Sequence, residues 1–204
     1  MLKFVVTSVA LSLLFVWKEN RSIVTSGING TFFSTKPPYH LASLVWWDGK
    51  LLGSFPSTET RKRGGLICYK DGRVEAGYFS VKNNELYWNG RKMNFWDEVK
   101  WAMTGGGLFL LDGRVFSAKE VSQTEGLSLY ITTHRRYSFI AVHKDRKTIT
   151  LGVSLGWGPP SLLARKFQNK YYAILRLDGG SQTAYWVKRK TPKFVHNGVA
   201  FLTD

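Results

Sequence analysis

Short runs of apolar and β-branched residues, separated by tight-turn dipeptides, form the dominant pattern along this chain. The dipeptides are Asp48-Gly49, Asp71-Gly72, Asn89-Gly90 and Asp112-Gly113. Such pairs between β-rich runs are the strongest local signal for a hairpin. The pattern therefore predicts antiparallel strands at residues 66–69, 76–81, 85–88, 127–132, 137–143, 148–154 and 171–177.

Two segments carry helical spacing instead. In the first, Asn94 is the predicted N-cap and Gly105 the predicted end. The apolar stripe between them consists of Phe95, Val99, Ala102 and Met103. In the second, Ser161 follows two prolines and is the predicted N-cap of a helix over residues 161–168. With no internal repeat and no long linker, the chain is expected to form one α+β domain over residues 1–204, mostly antiparallel or mixed sheet with hairpins and a few packed helices.

The first apolar run, residues 4–17, follows Lys3 and is too short and too interrupted for a transmembrane span. We interpret it as a buried opening strand because no clear small-residue cleavage site follows. A signal peptide in residues 1–20 is the alternative. The expected location is cytoplasmic, or secreted if that alternative holds. Cys68 is the only cysteine, which excludes an intramolecular disulfide and fits a reducing compartment.

The length and the net charge of the chain indicate which binding partners suit it. The chain has 204 residues, 44% of them hydrophobic, which is enough for a substantial core. Its 29 Lys and Arg residues against 14 Asp and Glu give a formal net charge of +15. Such a charge favours phosphate-bearing partners such as nucleic acid, anionic polymer or a membrane surface. A solubilising surface is the plainer interpretation.

Four segments carry residues suited to holding a polar ligand. They are Gly27-Ile-Asn-Gly-Thr-Phe-Phe33, Thr104-Gly-Gly-Gly-Leu-Phe-Leu-Leu-Asp-Gly113, His134-Arg-Arg-Tyr-Ser-Phe-Ile-Ala141, and the run Leu177-Asp-Gly-Gly-Ser181 that follows the second predicted helix. Asn29 offers both an acceptor and a donor beside a glycine. Asp178 places a carboxylate next to two glycines, whose backbone a ligand can approach closely because they have no side chains.

In this order the four segments resemble the phosphodiester glycosidase family, over roughly residues 26–182. That family has an Asn-Gly-Gly-Phe-Phe segment, a Gly-Pro-x-Leu-x-x-Asp-Gly segment, a Pro-Arg-Thr strand start, and a helix leading to Leu-Asp-Gly-Gly-Gly-Ser. This chain departs from the pattern at Thr31, at Gly107-Leu108, around Arg136, and by one glycine fewer before Ser181. The resemblance implies a hydrolase that cleaves the bond between a sugar and a phosphate in a sugar phosphodiester.

Within that chemistry Asp178 is the candidate carboxylate at the reacting centre, as stabiliser, nucleophile or base. Asn29 and Arg136 are the other catalytic candidates. The substrate-binding candidates, which supply a guanidinium, backbone N–H groups or a hydroxyl, are Arg135, Gly105, Gly106, Gly107, Gly179, Gly180 and Ser181.

A second carboxyl would act as general acid in an ordinary glycosidase. Asp112 and Glu125 are the candidates for it, although a phosphate leaving group is already weakly basic and can leave without one. No cofactor is required from the sequence. A divalent cation held by Asp178 and other oxygen ligands is an alternative, but no spacing of ligand residues in the sequence supports it.

Other interpretations stay open. Asp178 can be a turn cap, Asn29 an Asx-turn residue, and the arginine pair a solvated strand end. A second function hypothesis is binding of single-stranded DNA or RNA, because basic and aromatic residues interleave at 166–172 and 186–194. Amphipathic strands explain those stretches equally well. A third hypothesis, tied to the signal-peptide alternative, is a secreted domain that binds an anionic polymer.

Overall fold

Antiparallel strands dominate the fold, with a few short helices, which is the mostly-β α+β composition that the hairpin pattern predicts. The computed structural model describes residues 43–47, 49–53, 61–156 and 158–179, and the backbone of further strands at 3–7, 13–17, 26–29, 185–187 and 197–201. In chain order the strands are β1 (Lys3–Thr7), β2 (Leu13–Trp17), β3 (Ser26–Asn29), β4 (Val45–Trp47), β5 (Lys50–Gly53), β6 (Arg63–Tyr69), β7 (Val74–Lys82), β8 (Glu85–Trp88), β9 (Arg91–Lys92), β10 (Val99–Thr104), β11 (Leu108–Leu111), β12 (Arg114–Val115), β13 (Arg136–His143), β14 (Ile149–Leu155), β15 (Tyr171–Gly179), β16 (Tyr185–Val187) and β17 (Asn197–Phe201). The α-helices of the described residues are α1 (Ala118–Glu125), α2 (Leu129–Thr133) and α3 (Pro160–Phe167).

Two large sheets pack face to face. The first has the strand order β1-β14-β13-β15-β11-β12 and the second the order β5-β4-β10-β6-β7-β8-β9. Side chains from both sheets form the core between them, among them Leu66, Trp101 and Met103 from the second and Ile140 and Leu175 from the first. Removal of this apolar surface from water is the main force that holds the two sheets together. A smaller sheet has the order β16-β3-β17-β2.

The helices cover the outer face of the six-stranded sheet. Val121 of α1 and Leu163 of α3 pack there with Phe109, Phe139 and Ile174. Successive side chains of a strand point to opposite faces of its sheet. Each central strand therefore sends one set of side chains into the core between the sheets and the other set toward the helices.

The hairpin predictions are confirmed by the strand pairing. β4 pairs with β5, β6 with β7, β8 with β9, and β11 with β12, each antiparallel across one of the four dipeptides. Asn89 and Asp112 have φ values of 49° and 48°, and the glycines that follow have 83° and 80°. Positive φ at both central residues is the type I′ turn that suits the twist of a hairpin. Asp48 lies outside the described residues.

The helix predicted over residues 94–105 is wrong. A single 3₁₀ turn at Trp96–Glu98 leads directly into β10. Trp101 and Met103 enter the core between the sheets, while Val99 and Ala102 pack on the outer face of the seven-stranded sheet. A strand buried on both faces gives a continuous apolar run, and such a run contains helical spacing by accident.

The strand predicted at residues 127–132 is also wrong. The Ser128 hydroxyl accepts a hydrogen bond from the Ile131 N–H at 3.3 Å and caps α2 instead. Helix α1 has no counterpart among the sequence predictions. Ser117 and Glu120 nevertheless form a complete capping box at its start, and the spacing of the two residues is a sequence signal for a helix.

The second predicted helix is confirmed with a shifted start. It begins at Pro160 and not after a Ser161 cap. Proline is favoured at the first helical position because its missing N–H would have no partner within the helix there. The strand at residues 171–177 is confirmed as β15, and those at 137–143 and 148–154 as β13 and β14.

The apolar run of residues 4–17 contains two strands where the sequence predicts one. β1 pairs with β14 at the edge of the six-stranded sheet, and β2 pairs with β17 in the small sheet. None of the helices in the described part of the chain reaches the length and hydrophobicity that a bilayer crossing demands.

Glu125, the last residue of α1, joins the helix layer to both large sheets. Its side chain is fully buried. One carboxyl oxygen accepts the Gly64 N–H of β6 at 2.8 Å, and the other accepts the Leu108 N–H of β11 at 2.8 Å. Burial raises the pKa of Glu125 to about 7, against the effect of these two hydrogen bonds. One carboxyl thereby ties three layers of the fold together.

We expect Glu125→Ala to lower the free energy of unfolding by about 3 kcal/mol or more, because two buried N–H groups lose their acceptor. Glu98→Gln, which changes an exposed carboxyl of the 3₁₀ turn, is the matched control and should stay within about 0.5 kcal/mol of the parent protein. Urea unfolding of both variants measures the difference. Equal effects of the two substitutions would contradict the role of Glu125 as a tie.

The same carboxyl makes stability depend on pH. Its pKa is about 7 in the fold and 4.5 as an ordinary glutamate, so the folded state binds the proton more tightly. The stabilisation that the fold gains from the tighter binding of this proton is fully present below pH 4.5 and is lost as the pH rises toward 7. The stability of the parent protein relative to Glu125→Gln should therefore fall across this window in urea titrations. Parallel stability curves would contradict this linkage.

Candidate functional site

Asp178 lies at the end of β15, where the strand leaves the sheet. It is half-buried, and its Oδ1 accepts the Gly179 N–H at 2.7 Å. Burial raises the pKa of Asp178, while this hydrogen bond and the positive charge of Arg176 lower it. The effect of burial is the largest, so the pKa of Asp178 lies above that of a solvated aspartate.

Gly179 brings the end of β15 into close contact with the start of β13. It pairs with Tyr137, and a Cβ at this position would collide with the carbonyl oxygen of Arg136. Such a Cβ would also lie 2.6 Å from Nη2 of Arg176. A glycine is required for this approach, which sets the backbone of Arg136 directly beside that of Asp178 and Gly179.

The two arginines at the start of β13 have a fixed backbone and exposed side chains. The Arg135 carbonyl accepts the Ser154 hydroxyl at 2.7 Å and the Gly156 N–H at 3.1 Å. The Arg136 N–H donates to Nδ1 of His134 at 3.1 Å. Both guanidinium groups are open to solvent on anchored main chain, so they can meet an anionic ligand at this end of the sheet.

The glycine run between β10 and β11 supports β15 from the other side. All three glycines are buried. The Gly105 N–H donates to the Gly64 carbonyl at 3.2 Å, and the Gly106 N–H donates to the Arg176 carbonyl at 2.7 Å. The Gly107 carbonyl accepts the Arg176 N–H at 2.9 Å. The N–H groups of Gly105 and Gly106 are thus engaged inside the fold, which speaks against the predicted role of these two residues in phosphate binding.

Three further predicted site residues lie at or beyond the limit of the described chain. Asn29 ends β3, and the structure gives its backbone only. β3 pairs with β16 and β17 and lies beside β14, the neighbour of β13. Gly180 and Ser181 lie outside the described residues. The roles predicted for these three side chains and backbone groups stay predictions.

Neither predicted second carboxyl is available to Asp178. The Asp112 N–H donates to the Tyr172 carbonyl, at the opposite end of β15. Tyr172 precedes Asp178 by six positions in the strand, which corresponds to about 20 Å. Glu125 is fully buried with both oxygens engaged. Asp178 is therefore the one sequence-predicted carboxyl that lies at this end of the sheet.

Arg176 is a residue of this region that the sequence reasoning missed. Only 3% of it is exposed, and it precedes Asp178 by two positions in the same strand. Burial lowers the pKa of Arg176 to about 10, and the negative charge of Asp178 opposes that change. The guanidinium carbon lies 5.8 Å from the centroid of the Tyr137 ring. Arg176 pairs with Phe139 and Gly179 with Tyr137, so β15 has one residue more than β13 between these pairs. Simple alternation along the strand therefore gave no signal for the position of Arg176 relative to Asp178.

The basic and aromatic stretch at residues 166–172 does not form a platform for bases. Tyr171 is 1% exposed and belongs to the core beneath the helices. Lys170 covers the ring of Tyr171 and Lys166 that of Phe167, with ammonium-to-centroid distances of 5.3 and 5.8 Å. The lysines cap aromatic residues that pack inward. Most of the second stretch, 186–194, lies outside the described residues.

A cavity of about 450 Å³ opens at the far end of β11. Tyr78, Leu111, Asp112 and Phe116 contribute to its lining, which does not include Asp178. Within the described residues no group of three or more His, Cys, Asp or Glu side chains is placed to hold a metal ion.

Comparison with known proteins relates this chain to others by fold alone. No protein-family model matches the sequence, and no curated protein matches it. The catalytic domain of zebrafish N-acetylglucosamine-1-phosphodiester alpha-N-acetylglucosaminidase, auto-inhibited by its pro-peptide, is similar in structure with a TM-score of 0.65 and 14% sequence identity. A hypothetical protein from Synechocystis is similar with a TM-score of 0.55 and 13% identity.

These similarities cover a larger share of this chain than of the other two proteins. The match includes 89% of this chain and 64% of the zebrafish domain, and 99% of this chain and 61% of the Synechocystis protein. The chain thus spans less than two thirds of either structure. At this level of identity the fold is shared, and activity is a separate question.

We expect Gly179→Ala to lower the free energy of unfolding by about 2 kcal/mol, because the new Cβ must push the start of β13 away from β15. Arg136→Ala is the control: it keeps the carbonyl that the Cβ meets and removes only an exposed side chain, so it should cost less than about 0.5 kcal/mol. Urea unfolding at one pH compares the two. A neutral Gly179→Ala would show that the two strand ends are not tightly paired.

Proposed function

We propose that this chain is one phosphodiester glycosidase-like domain, a hydrolase that cleaves the bond between a sugar and a phosphate. The observation that carries the proposal is the meeting of Asp178 with the start of β13, where Arg135 and Arg136 expose their side chains. Three of the four segments singled out in the sequence come together there: the glycine run, the arginine pair and the Asp178 turn. The fold shared with the zebrafish enzyme domain is the second support.

The chemistry assigns opposite charges to the two parts of the substrate. A phosphodiester carries one negative charge, which Arg135 or Arg136 binds through the donor fork of the guanidinium. The anomeric carbon gains positive charge as its bond to oxygen breaks. Asp178 stabilises that charge as an ion, attacks the carbon, or activates water for attack. Asn29, Gly180 and Ser181 are proposed to orient the oxygens of the sugar or the phosphate.

A mechanism with one carboxyl fits the surroundings of Asp178. The two acids considered as proton donors, Asp112 and Glu125, are respectively distant and fully engaged. A phosphate leaving group departs as a weak base and needs no proton from the enzyme. The proposal assigns no step to a metal ion.

The central test is release of free sugar from a panel of sugar-1-phosphodiesters and nucleotide sugars by the purified full chain. We expect Asp178→Asn, which keeps the size of the side chain, to lower turnover on the order of 10³-fold. Asp112→Asn, at the other end of β15, should retain turnover and serves as the matched control. Equal turnover by the parent protein and Asp178→Asn would remove Asp178 from the mechanism.

Binding of single-stranded nucleic acid is the competing function, favoured by the net charge of +15 and the exposed arginine pair. A fluorescent single-stranded DNA or RNA oligonucleotide, titrated at several salt concentrations, separates the two. A nucleic-acid-binding protein without hydrolase activity would bind with a linear loss of log affinity against log salt, equally in the parent protein and in Asp178→Asn.

A further inference from the structure

Five basic residues lie together at the end of the six-stranded sheet that is opposite to Asp178. β13 ends at His143, β15 begins at Tyr171, and these two residues are paired across the strands. The turn that follows β13 therefore lies beside the last turn of α3 and the segment that joins it to β15. We call these basic residues the basic end surface: Lys144, Arg146, Lys147, Lys166 and Lys170.

Aromatic rings connect the two parts of this surface. The ring of Tyr171 meets that of His143 edge to face, with 4.8 Å between the ring centroids. The Lys170 ammonium lies over the Tyr171 ring, and Phe167 packs against the same ring with 6.0 Å between centroids. Lys166 lies over the ring of Phe167. The lysines beside α3 and the turn after β13 are thus held around one buried tyrosine.

Hydrogen bonds fix the turn that presents Lys144 and Lys147. The His143 N–H donates to the Thr148 carbonyl at 2.9 Å and joins the ends of the turn. Oδ1 of Asp145 accepts the N–H groups of Lys147 and Thr148 at 2.8 and 2.9 Å, and Oδ2 accepts the Thr148 hydroxyl at 2.7 Å. The carboxylate therefore holds the turn together, while the two lysines stay exposed beside it.

The surface carries a large share of the positive charge of the chain. Residues 144–147 and 166–172 contain five basic residues and one acidic residue, a formal charge of +4 out of the total of +15. Lys144, Lys147 and Lys170 form no ion pair with any carboxylate that the structure describes. Their exposed ammonium groups are therefore open to an anionic partner.

The aromatic side chains at this end are turned inward. Tyr171 is buried, and the guanidinium carbon of Arg146 lies 4.2 Å from the centroid of the half-buried Tyr172 ring. No large hydrophobic side chain within residues 143–148 and 166–172 is exposed. Single-strand binding relies on rings on which bases stack, and membrane attachment on apolar side chains that enter the lipid. This end of the sheet offers neither.

We propose that the basic end surface binds the phosphate backbone of double-stranded nucleic acid without sequence preference. A duplex stacks its bases inside and presents its phosphates, which Lys and Arg bind with release of counterions. Lys144 and Lys147 contact phosphates from the turn after β13, and Lys166 and Lys170 do so from the side of α3. The surface and Asp178 lie at opposite ends of β15, about 20 Å apart, and duplex binding does not depend on the proposed hydrolase function.

The test is the fluorescence anisotropy of a labelled DNA duplex of mixed sequence, titrated with the full chain at several salt concentrations. We expect Lys144→Gln with Lys147→Gln to weaken binding about fivefold or more and to reduce the slope of log affinity against log salt by about 2, because each lost phosphate contact releases about one counterion fewer. Lys144→Arg with Lys147→Arg keeps the charge and should bind like the parent protein.

The matched control is Lys50→Gln with Lys82→Gln, which removes the same charge from exposed positions elsewhere. Lys50 lies on β5, an edge strand of the seven-stranded sheet. The start of β7 touches the basic end surface, where the Val74 N–H donates to the Arg146 carbonyl at 2.6 Å, and Lys82 is the last residue of that strand. This control pair should leave the slope within about 0.5 of the parent value.

Three results would overturn the proposal. One is the absence of duplex binding at low salt, and another is an equal loss of slope in both glutamine pairs. The third is binding of the matching single strand as tight as that of the duplex, or binding of phosphatidylserine vesicles in place of it. Sugar release from the phosphodiester panel is measured separately and decides the hydrolase function on its own.

Discussion

The contact of Gly179 with the carbonyl of Arg136 is the constraint on which the rest of this corner depends. Any side chain at Gly179 would force the end of β15 away from the start of β13. Because the two strand ends are in contact, the exposed side chains of Arg135 and Arg136 and the half-buried carboxyl of Asp178 lie at the same end of the six-stranded sheet. The buried glycine run then fixes β15 from its other side through hydrogen bonds to Arg176. The glycines at this corner allow close packing of the main chain.

Burial is the largest influence on the pKa values of Arg176 and Asp178. Burial lowers the pKa of Arg176 and raises that of Asp178, and the attraction between the two opposes both changes. Each group therefore makes the charged form of the other less unfavourable in surroundings with little water. Glu125 shows the contrasting case within the same fold. Its buried carboxyl accepts hydrogen bonds from two N–H groups and connects the helix layer to both large sheets.

The sequence predicted those parts of the fold that local chemistry decides. The turns at Asn89-Gly90 and Asp112-Gly113 have positive φ at both central residues, which Asn-Gly and Asp-Gly pairs favour. The helix predicted around Val99 and Ala102 was wrong because burial on both faces of β10 is a tertiary fact that periodicity does not reveal. Asp178 and Arg136 could be connected by family resemblance. The engagement of the Gly105 and Gly106 N–H groups, and the position of Arg176 beside Asp178, depend on packing between strands distant in the chain.

The most direct test of this account is a crystal structure of the Asp178→Asn protein with a sugar-1-phosphodiester bound. The account predicts the phosphate within hydrogen-bond distance of Arg135 or Arg136, and the anomeric carbon facing the side chain at position 178. A ligand bound instead in the cavity near Asp112, about 20 Å away along β15, would contradict it.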